Sequence, residues 1–165
     1  PVRNLMNSVQ FNPASKIWTT KDVDNLGTPD KFPIVATTYR VSEHWQAGAM
    51  TRNMPWLVEL APDVFVELGS DLARRKGINN GDRVEIASAR GKMEAYALVT
   101  ERFEPFLVDG RTIDQIGVIW HYGYNGLAQG DSANLLTAHV GDANTMIPEY
   151  KAFLVDIEPI AGPVA

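Results

Sequence analysis

Short alternating or continuous apolar stretches recur along the chain and predict a protein built mainly from β-strands. Residues 83–88 alternate, so that Val84 and Ile86 fall on one face of a strand. A β-branched run at 32–39 that contains Pro33 near its start indicates a buried strand. Many short strands with one or two short helices are typical of a closed β-barrel. Other apolar elements, read as strands except for the last two, are predicted at 64–68, 93–100, 152–157, 106–108 and 113–120.

One short helix is predicted after the strand at 64–68. Ser70 is placed to cap the free N–H groups at its start, and Asp71 suits the positive end of the helix dipole. The basic run 74–76 falls in the last turn, where cations are favoured, and Gly77 can take the left-handed conformation that ends a helix. We therefore interpret this basic run as a helix-terminal charge pattern and not as a phosphate site.

Turn residues connect these elements. Residues 79–82 (Asn-Asn-Gly-Asp) predict a tight turn, and residues 90–92 reverse the chain into a hairpin. Residues 123–130 are typical of a loop. Two stretches stay ambiguous: residues 56–61 fit a strand or a helical turn, and residues 135–140 fit neither pattern clearly.

The chain divides into three parts. Residues 1–33 are punctuated by Asn, Pro, Ser, Asp and Gly and predict an N-terminal arm or linker. Residues 34–158 hold the predicted barrel, and 159–165 form a C-terminal tail. The arm either packs on its own domain or on a neighbour, or is a partly ordered terminus. Its apolar anchors would be Val9, Phe11, Ile17 and Trp18.

Composition excludes several classes of protein. The formal net charge of −5 over 165 residues argues against a nucleic-acid surface, which needs clustered Lys and Arg. No apolar run approaches the ~18 residues of a membrane span, and no signal peptide is recognisable. The absence of cysteine removes disulfides, thiolate metal ligands and cysteine nucleophiles. Because the chain begins with Pro1, a processed product or a piece of something longer is expected.

Two segments far apart in the sequence collect the candidate chemistry. Residues 37–46 contain Arg40, His44 and Gln46, and residues 134–136 and 148–151 contain further polar and aromatic side chains. An arginine fork can bind phosphate oxygens in pairs, lysine adds a point charge, and side-chain amides match the edge of a heterocycle. Such groups can hold a large planar ligand that carries phosphates.

Each candidate also has a structural alternative. Arg40 could pair with Glu43, and His44 could sit in a packed corner. Asn134 could cap a helix that begins near Leu135. Tyr150 could be a core residue and Lys151 a solvated strand residue. The lone His139 and Gly69-Ser70 are interpreted as structural, and Met54 and Trp56 as core or interface residues.

Motif searches add no other chemistry. The three histidines, at 44, 121 and 139, have no spacing typical of zinc, and neither a P-loop nor a Gly-x-Gly-x-x-Gly pattern occurs. A Ser-His-Asp triad has no local support. The sequence therefore predicts neither catalytic residues nor metal ligands in this chain.

Residues 68–86, continued by Ser88-Ala89-Arg90-Gly91-Lys92, resemble the helix–turn–strand signature of the molybdopterin dinucleotide-binding domain. That domain belongs to oxidoreductases of the dimethyl-sulfoxide-reductase superfamily. The resemblance implies a mainly β fold with short helices, a double-psi β-barrel of aspartate-decarboxylase-like topology. The flanks resemble formate dehydrogenase alpha subunits at residues 27–40, 43–45, 130–136 and 148–153.

The resemblance implies a cofactor-binding part of a molybdenum or tungsten formate dehydrogenase, an oxidoreductase. The cofactor would be bis(molybdopterin guanine dinucleotide), with its metal bound outside this chain. Because the family's metal ligand and iron–sulfur cysteines have no counterpart here, the chain alone is expected to be inactive. The cofactor contacts implied by the family pattern are Thr38, Arg40, His44, Gln46, His121, Asn134, Tyr150 and Lys151.

The implied partners are the rest of the large subunit and an iron–sulfur electron-transfer subunit, with no nucleic acid and no direct membrane insertion. Formate dehydrogenases of this kind are often exported folded, which slightly favours a periplasmic over a cytoplasmic location. Two alternatives stay open. One is the same domain in a nitrate or thiosulfate reductase type of enzyme, and the other is a non-enzymatic double-psi barrel that binds proteins. A third, a self-cleaving barrel decarboxylase, is disfavoured because Gly69-Ser70 sits at a predicted helix start.

Overall fold

Six strands close into a barrel in the computed structural model of the protein, which describes residues 26–138, 147–148 and 150–160. The barrel strands are β1 (Ile34–Tyr39), β2 (Phe65–Gly69), β3 (Arg83–Ala87), β4 (Lys92–Thr100), β7 (Gln115–Ile119) and β8 (Phe153–Pro159). Two further strands, β5 (Phe106–Val108) and β6 (Arg111–Ile113), lie outside the barrel. The α-helices are α1 (Pro55–Leu60) and α2 (Ser70–Lys76). Two 3-10 helices span Thr51–Asn53 and Ala133–Leu135.

The barrel mixes parallel and antiparallel neighbours in the order β1-β7-β2-β4-β3-β8. Strands β1 and β7 are parallel, as are β2 and β4, and the antiparallel pair β7–β2 joins these two parallel pairs. Strand β8 closes the barrel by antiparallel pairing with both β1 and β3. Closure removes free sheet edges from the six strands. The predicted mainly β fold and closed double-psi barrel are confirmed.

The interior is filled by alternate residues of each strand. Val84 and Ile86 are fully buried, as their alternation predicts, and Ile157 of β8 lies opposite Ile86. Along β4 the interior positions are Met93, Ala95 and Ala97. Such burial of aliphatic side chains is the main favourable term in folding. The sequence therefore specifies the barrel chiefly through this period of two.

Gly117 in β7 occupies a position where two aromatic rings leave no space for a side chain. A Cβ atom built there would lie 2.3 Å from the Phe103 ring and 2.7 Å from the Tyr39 ring. These two rings cover the outside of the barrel, where Tyr39 also donates a hydrogen bond to the buried Glu67 carboxylate. The Glu67 carboxylate is paired with Arg102, whose guanidinium lies over Tyr39. This cluster links the end of β1 to β2 across the outside of β7.

Helix α2 confirms most of its prediction and corrects one part. Gly77 has φ 67° and ends the helix in the left-handed conformation. Ser70, however, is the first helical residue and not the cap, since Gly69 occupies the cap position without a side-chain hydrogen bond. The cations of the last turn form the ion pairs Arg74–Asp71, Arg75–Asp114 and Lys76–Asp156, which agrees with a structural role.

The ambiguous residues 56–61 turn out to be largely helical. Pro55 begins α1, where its fixed φ suits the first turn and its missing N–H is not needed. None of the residues of α1 is fully buried. Outside the barrel, β5 and β6 form a separate two-stranded hairpin around a turn at Asp109–Gly110.

The ends of the barrel lie close to the predicted limits, since β1 begins at Ile34 and β8 ends at Pro159. The three-part division of the chain stays a prediction. The proposed anchors of the arm (Val9, Phe11, Ile17 and Trp18) and His139 lie outside the described residues. Among the helices that the structure describes, none has the length and apolar character needed to cross a bilayer.

Candidate functional site

One end of the barrel collects the predicted site residues. Strands β1 and β7 run parallel and finish there, with Tyr39 opposite Ile119, so the chain leaves both strands side by side. Because β8 is antiparallel to β1, with Phe153 opposite Ala36, the residues before β8 lie at the same end. The loops that follow β1 and β7 and the segment that precedes β8 therefore converge.

Thr38 connects the two distant segments at this end. Its buried hydroxyl donates a hydrogen bond of 2.9 Å to the carbonyl of Tyr150. The Lys151 ammonium donates to the Thr38 carbonyl and, at 3.2 Å, to the Thr38 hydroxyl. These hydrogen bonds tie Lys151, which lies in the segment just before β8, to the end of β1. The structure thus brings together Thr38, Tyr150 and Lys151, three of the cofactor contacts implied by the family pattern, and their contact with a cofactor stays a prediction.

Arg40 lies beside this group and contributes a second cation. Its guanidinium carbon is 4.9 Å from the centre of the Trp120 ring, a cation–π arrangement. No described residue forms an ion pair with Arg40 or Lys151, and Glu43 bonds weakly to Ser42 instead. Burial lowers the pKa of Lys151, and repulsion from Arg40 lowers it further. Two mutually repelling cations without a described carboxylate favour an anionic ligand.

Trp120 is a member of this cluster that the sequence did not single out. The centre of its ring lies 4.9 Å from the Arg40 guanidinium carbon and 5.7 Å from the centre of the His121 ring. The indole Nε1 is buried and makes no hydrogen bond with the described chain. A buried donor without a partner is costly, so it marks a place where a further acceptor would be favourable. The only signal in the sequence was its position next to His121.

His121 fixes the loop after β1. Its Nδ1 donates to the carbonyl of Gln46, and its Nε2 accepts a hydrogen bond of 3.0 Å from the N–H of Val41. These partners require the neutral ring with the proton on Nδ1. Burial lowers the pKa of His121, with smaller lowering contributions from the nearby His44 and Arg40. The backbone hydrogen bond to Gln46 opposes that shift without reversing it.

Gln46 has a backbone φ of 46°, so its carbonyl turns inward while its side chain is exposed. Gly48 follows closely, and a Cβ there would lie 2.1 Å from the His121 carbonyl oxygen. His121 therefore orients the 41–46 loop through the backbone, and the Gln46 amide remains available to a ligand. Its predicted cofactor contact stays a prediction.

His44 is engaged within the protein. Its Nε2 donates 2.9 Å to the carbonyl of Ala61, and its Nδ1 lies 3.1 Å from the Thr51 hydroxyl. The ring is 2% exposed and packs edge-on against Tyr122 at 5.4 Å between centroids. The packed-corner alternative therefore describes its surroundings, and contact with the cofactor stays a prediction for His44.

Arg52 is a second residue that the sequence analysis missed. The guanidinium is buried, and its Nη1 donates to the carbonyls of Gly123 and Ala128, each at 3.3 Å. The Arg52 carbonyl accepts N–H groups from Leu127 and Ala128 in return. Arg52 thus joins the first 3-10 helix to the 123–130 loop. The available signal was a basic residue inside a stretch, 47–60, that is rich in apolar side chains.

Asn134 lies apart from the Arg40 group but at the same end of the barrel. It belongs to the 3-10 helix Ala133–Leu135. Ser132 caps this helix, because its hydroxyl oxygen accepts a hydrogen bond of 3.3 Å from the Asn134 N–H. The alternative that Asn134 itself caps a helix is therefore wrong. A Cβ on Gly91 would lie 2.7 Å from the Leu135 carbonyl, which places this helix beside the β3–β4 turn. The Asn134 side chain is exposed and free to meet a ligand.

A cleft elsewhere on the barrel is less suited to an anionic ligand. A cleft of about 360 Å³ is lined by three carboxylates, Asp63, Glu94 and Asp131, and by one cation, Arg83, which pairs with Glu94. Its excess of carboxylates would repel an anion. It includes none of the eight predicted residues. The described residues also contain no cluster of His, Asp or Glu that could hold a metal ion.

Comparison with known proteins agrees with this geometry. The family described as "Molydopterin dinucleotide binding domain" matches residues 34–154, which is nearly the whole barrel. A formate dehydrogenase subunit alpha of Megalodesulfovibrio gigas is 50% identical over 131 residues, covering 77% of this chain and 13% of the relative. The formate dehydrogenase-O major subunit of Escherichia coli (strain K12) is 45% identical over 160 residues, covering 94% of this chain and 15% of the relative.

The solved structures support the fold. Acetylene hydratase from Pelobacter acetylenicus superposes with a TM-score of 0.57 at 13% identity, covering 93% of this chain and 21% of that one. The chain spans only 13% and 15% of the two curated relatives above, so most of such a protein lies outside it. With the family matched across the barrel, this chain belongs to the molybdopterin dinucleotide-binding domain family.

Proposed function

We propose that this chain is the cofactor-binding part of a molybdenum or tungsten formate dehydrogenase large subunit. In this role it holds the dinucleotide ends of bis(molybdopterin guanine dinucleotide) while formate is oxidised to CO2. Support for the cofactor comes from the family and, above all, from one observation. Arg40 and Lys151 lie together at the barrel end and have no described carboxylate partner.

The donors at this end fit the proposed cofactor. A dinucleotide presents a diphosphate, and a guanidinium and an ammonium are the side chains that neutralise it best. The buried Trp120 indole N–H lacks an acceptor among the described residues, and polar ligand atoms could supply one. The exposed amides of Gln46 and Asn134 can donate and accept, as the edge of a guanine or pterin requires.

The chain's own contribution is to bind and orient. Thr38 and Tyr150 hold Lys151 in place, Trp120 supports Arg40, and His121 sets the backbone after β1. The cofactor, with its metal bound by other parts of the large subunit, supplies the two-electron chemistry. No described residue of this chain is assigned a catalytic step. The chain by itself is therefore expected to lack formate oxidation activity.

Formate is favoured as the substrate because the relatives at 50% and 45% identity are named formate dehydrogenases. The partners would be the remaining domains of the large subunit and an iron–sulfur electron-transfer subunit. Because this chain covers only 13% and 15% of these relatives, further domains of the large subunit are implied. The iron–sulfur subunit is proposed from the family resemblance alone.

The test uses the native assembly that contains this chain. It would be captured with an antibody to the barrel, and its molybdenum, tungsten, released pterin and released guanosine monophosphate would be measured. Formate-dependent dye reduction would be assayed on the same sample. Metal, guanosine monophosphate and formate activity together would support the proposal.

Other outcomes separate the alternatives. Cofactor with nitrate or thiosulfate reduction but without formate activity would assign the same domain to another enzyme of the superfamily. A free chain near 18.2 kDa without pterin or metal would overturn the proposal and leave a non-enzymatic barrel.

A further inference from the structure

An unusual share of the exposed apolar surface lies in one short segment. We define the 45–60 surface as the solvent-facing side chains between Trp45 and Leu60. Within it five large apolar residues are 39–71% exposed. They are Trp45, Met50, Met54, Trp56 and Leu60.

The segment is a compact series of turns and not an unfolded loop. Backbone hydrogen bonds run from Trp45 to Gly48, through the first 3-10 helix, and into α1 up to Ala61. On α1, Trp56 and Leu60 are four residues apart and therefore share one side of the helix. Val58, on another side, packs against the core. The inner side of this segment is thus satisfied, and the outer side has no cover in the described chain.

Charge is nearly absent from this surface. Between residues 45 and 60 the only ionisable side chains are Arg52 and Glu59, and Arg52 is buried among backbone carbonyls. Exposed tryptophan and methionine with few charges are typical of the centre of a protein–protein interface. Isolated exposed apolar residues are ordinary, but five large ones within sixteen residues indicate a contact surface.

The position of the 45–60 surface identifies what covers it. The surface begins at the loop that carries Arg40 and Gln46, and Gly48 packs directly on His121. It therefore continues the proposed cofactor face. A ligand held at an open barrel end must be enclosed by another body, and the chain spans only 13% and 15% of its relatives.

We propose that the 45–60 surface is the docking surface for the remaining domains of the large subunit. The occupant is an apolar, weakly charged patch of that same subunit, next to the cofactor. This proposal rests on the proposed function for the identity of the occupant. It adds the surface through which the cofactor-binding part is held against the rest of the enzyme.

Site-specific photo-crosslinking in the intact native assembly tests the docking surface. A benzophenone amino acid would replace Trp56 in one sample and Leu60 in another. The matched control position is Arg74, which lies on the equally short helix α2 within an exposed ion pair with Asp71. Crosslinked peptides would be identified by mass spectrometry, and pterin would be measured on the same samples.

The expected result is that the Trp56 and Leu60 probes crosslink to peptides of the large subunit outside residues 1–165. Yields at Arg74 should be several-fold lower. A Trp56→Asp substitution should reduce the crosslink from Leu60 several-fold, whereas Trp56→Phe should retain it. Retention of the crosslink in Trp56→Phe would show that docking needs an apolar side chain at position 56 and not the indole ring itself.

Several results would overturn the docking proposal. Crosslinks to residues 1–25, to a separate polypeptide or to a second copy would identify another occupant. Equal yields at Trp56 and Arg74, or an absence of crosslinks in samples that contain pterin, would also reject it. The proposed function fails separately, through the absence of pterin in an assembly whose crosslinks are as expected.

Discussion

Lys151 donates its ammonium hydrogens to both the carbonyl and the hydroxyl of Thr38, across 113 positions of sequence. The Thr38 hydroxyl in turn donates to the Tyr150 carbonyl. This arrangement joins the end of β1 to the segment before β8, and it places a cation next to Arg40. The proposed cofactor site therefore depends on the closure of the barrel, since β1 and β8 become neighbours only when it closes.

Thr38→Val should destabilise the protein by about 1–3 kcal/mol, because the partly buried Tyr150 carbonyl loses its donor and Lys151 loses an acceptor. Valine keeps the β-branched shape, so strand propensity changes little. Urea unfolding followed by circular dichroism measures the difference. Thr37→Val is the matched control, with an expected change of about 0.5 kcal/mol or less. Equal effects of the two substitutions would contradict the importance of this connection.

Arg40→Met should raise the pKa of Lys151. Arg40 lowers that pKa by charge repulsion, so removal of the guanidinium stabilises the protonated ammonium. The pKa stays below its ordinary value in the variant, because burial is the larger cause. NMR titration of the Lys151 side chain provides the measurement. An unchanged or lower pKa in the variant would show that the two cations are not coupled.

Acid should destabilise the protein through His121. Its pKa in the folded state is below the ordinary 6.5, so the unfolded chain binds this proton first as the pH falls. The stability contributed by the neutral ring is present above about pH 6.5 and decreases below it. Protonation also removes the acceptor for the Val41 N–H.

The measurement is the urea midpoint at pH 7.5 and at pH 5.5, together with an NMR titration of the ring. His121→Asn should be less stable at pH 7.5 and should lose part of the decrease between the two pH values. A wild-type ring that titrates at or above 6.5 would contradict the assignment.

Arg52→Met should cost about 2 kcal/mol or more, because the carbonyls of Gly123 and Ala128 lose their buried donor. Differential hydrogen exchange should also show faster exchange in the 123–130 loop. Arg74→Met is the control, since its exposed ion pair with Asp71 contributes about 0–1 kcal/mol. A loop that exchanges at the same rate in both variants would contradict the proposed connection.

The sequence by itself determined most of the strands and turns, although it left the type of the elements at 106–108 and 113–120 open. The period of two at residues 83–88 fixes which side chains enter the core, and Gly77 ends α2 because its left-handed φ of 67° favours glycine. It also carried the family resemblance, since signatures such as residues 68–86 are local in the chain. Local steric and hydrogen-bonding preferences are sufficient for features of this kind.

Local preference left residues 56–61 undecided between a strand and a helical turn, and the structure has a helix there that begins at Pro55. Local preference also misplaced the cap of α2, where Gly69 stands in place of the expected Ser70. It also could not show that His44 has both ring nitrogens bonded, or that Trp120 supports Arg40. These relationships join positions tens of residues apart. Only closure of the barrel, through the parallel β1–β7 pair and β8, brings such positions within hydrogen-bonding distance.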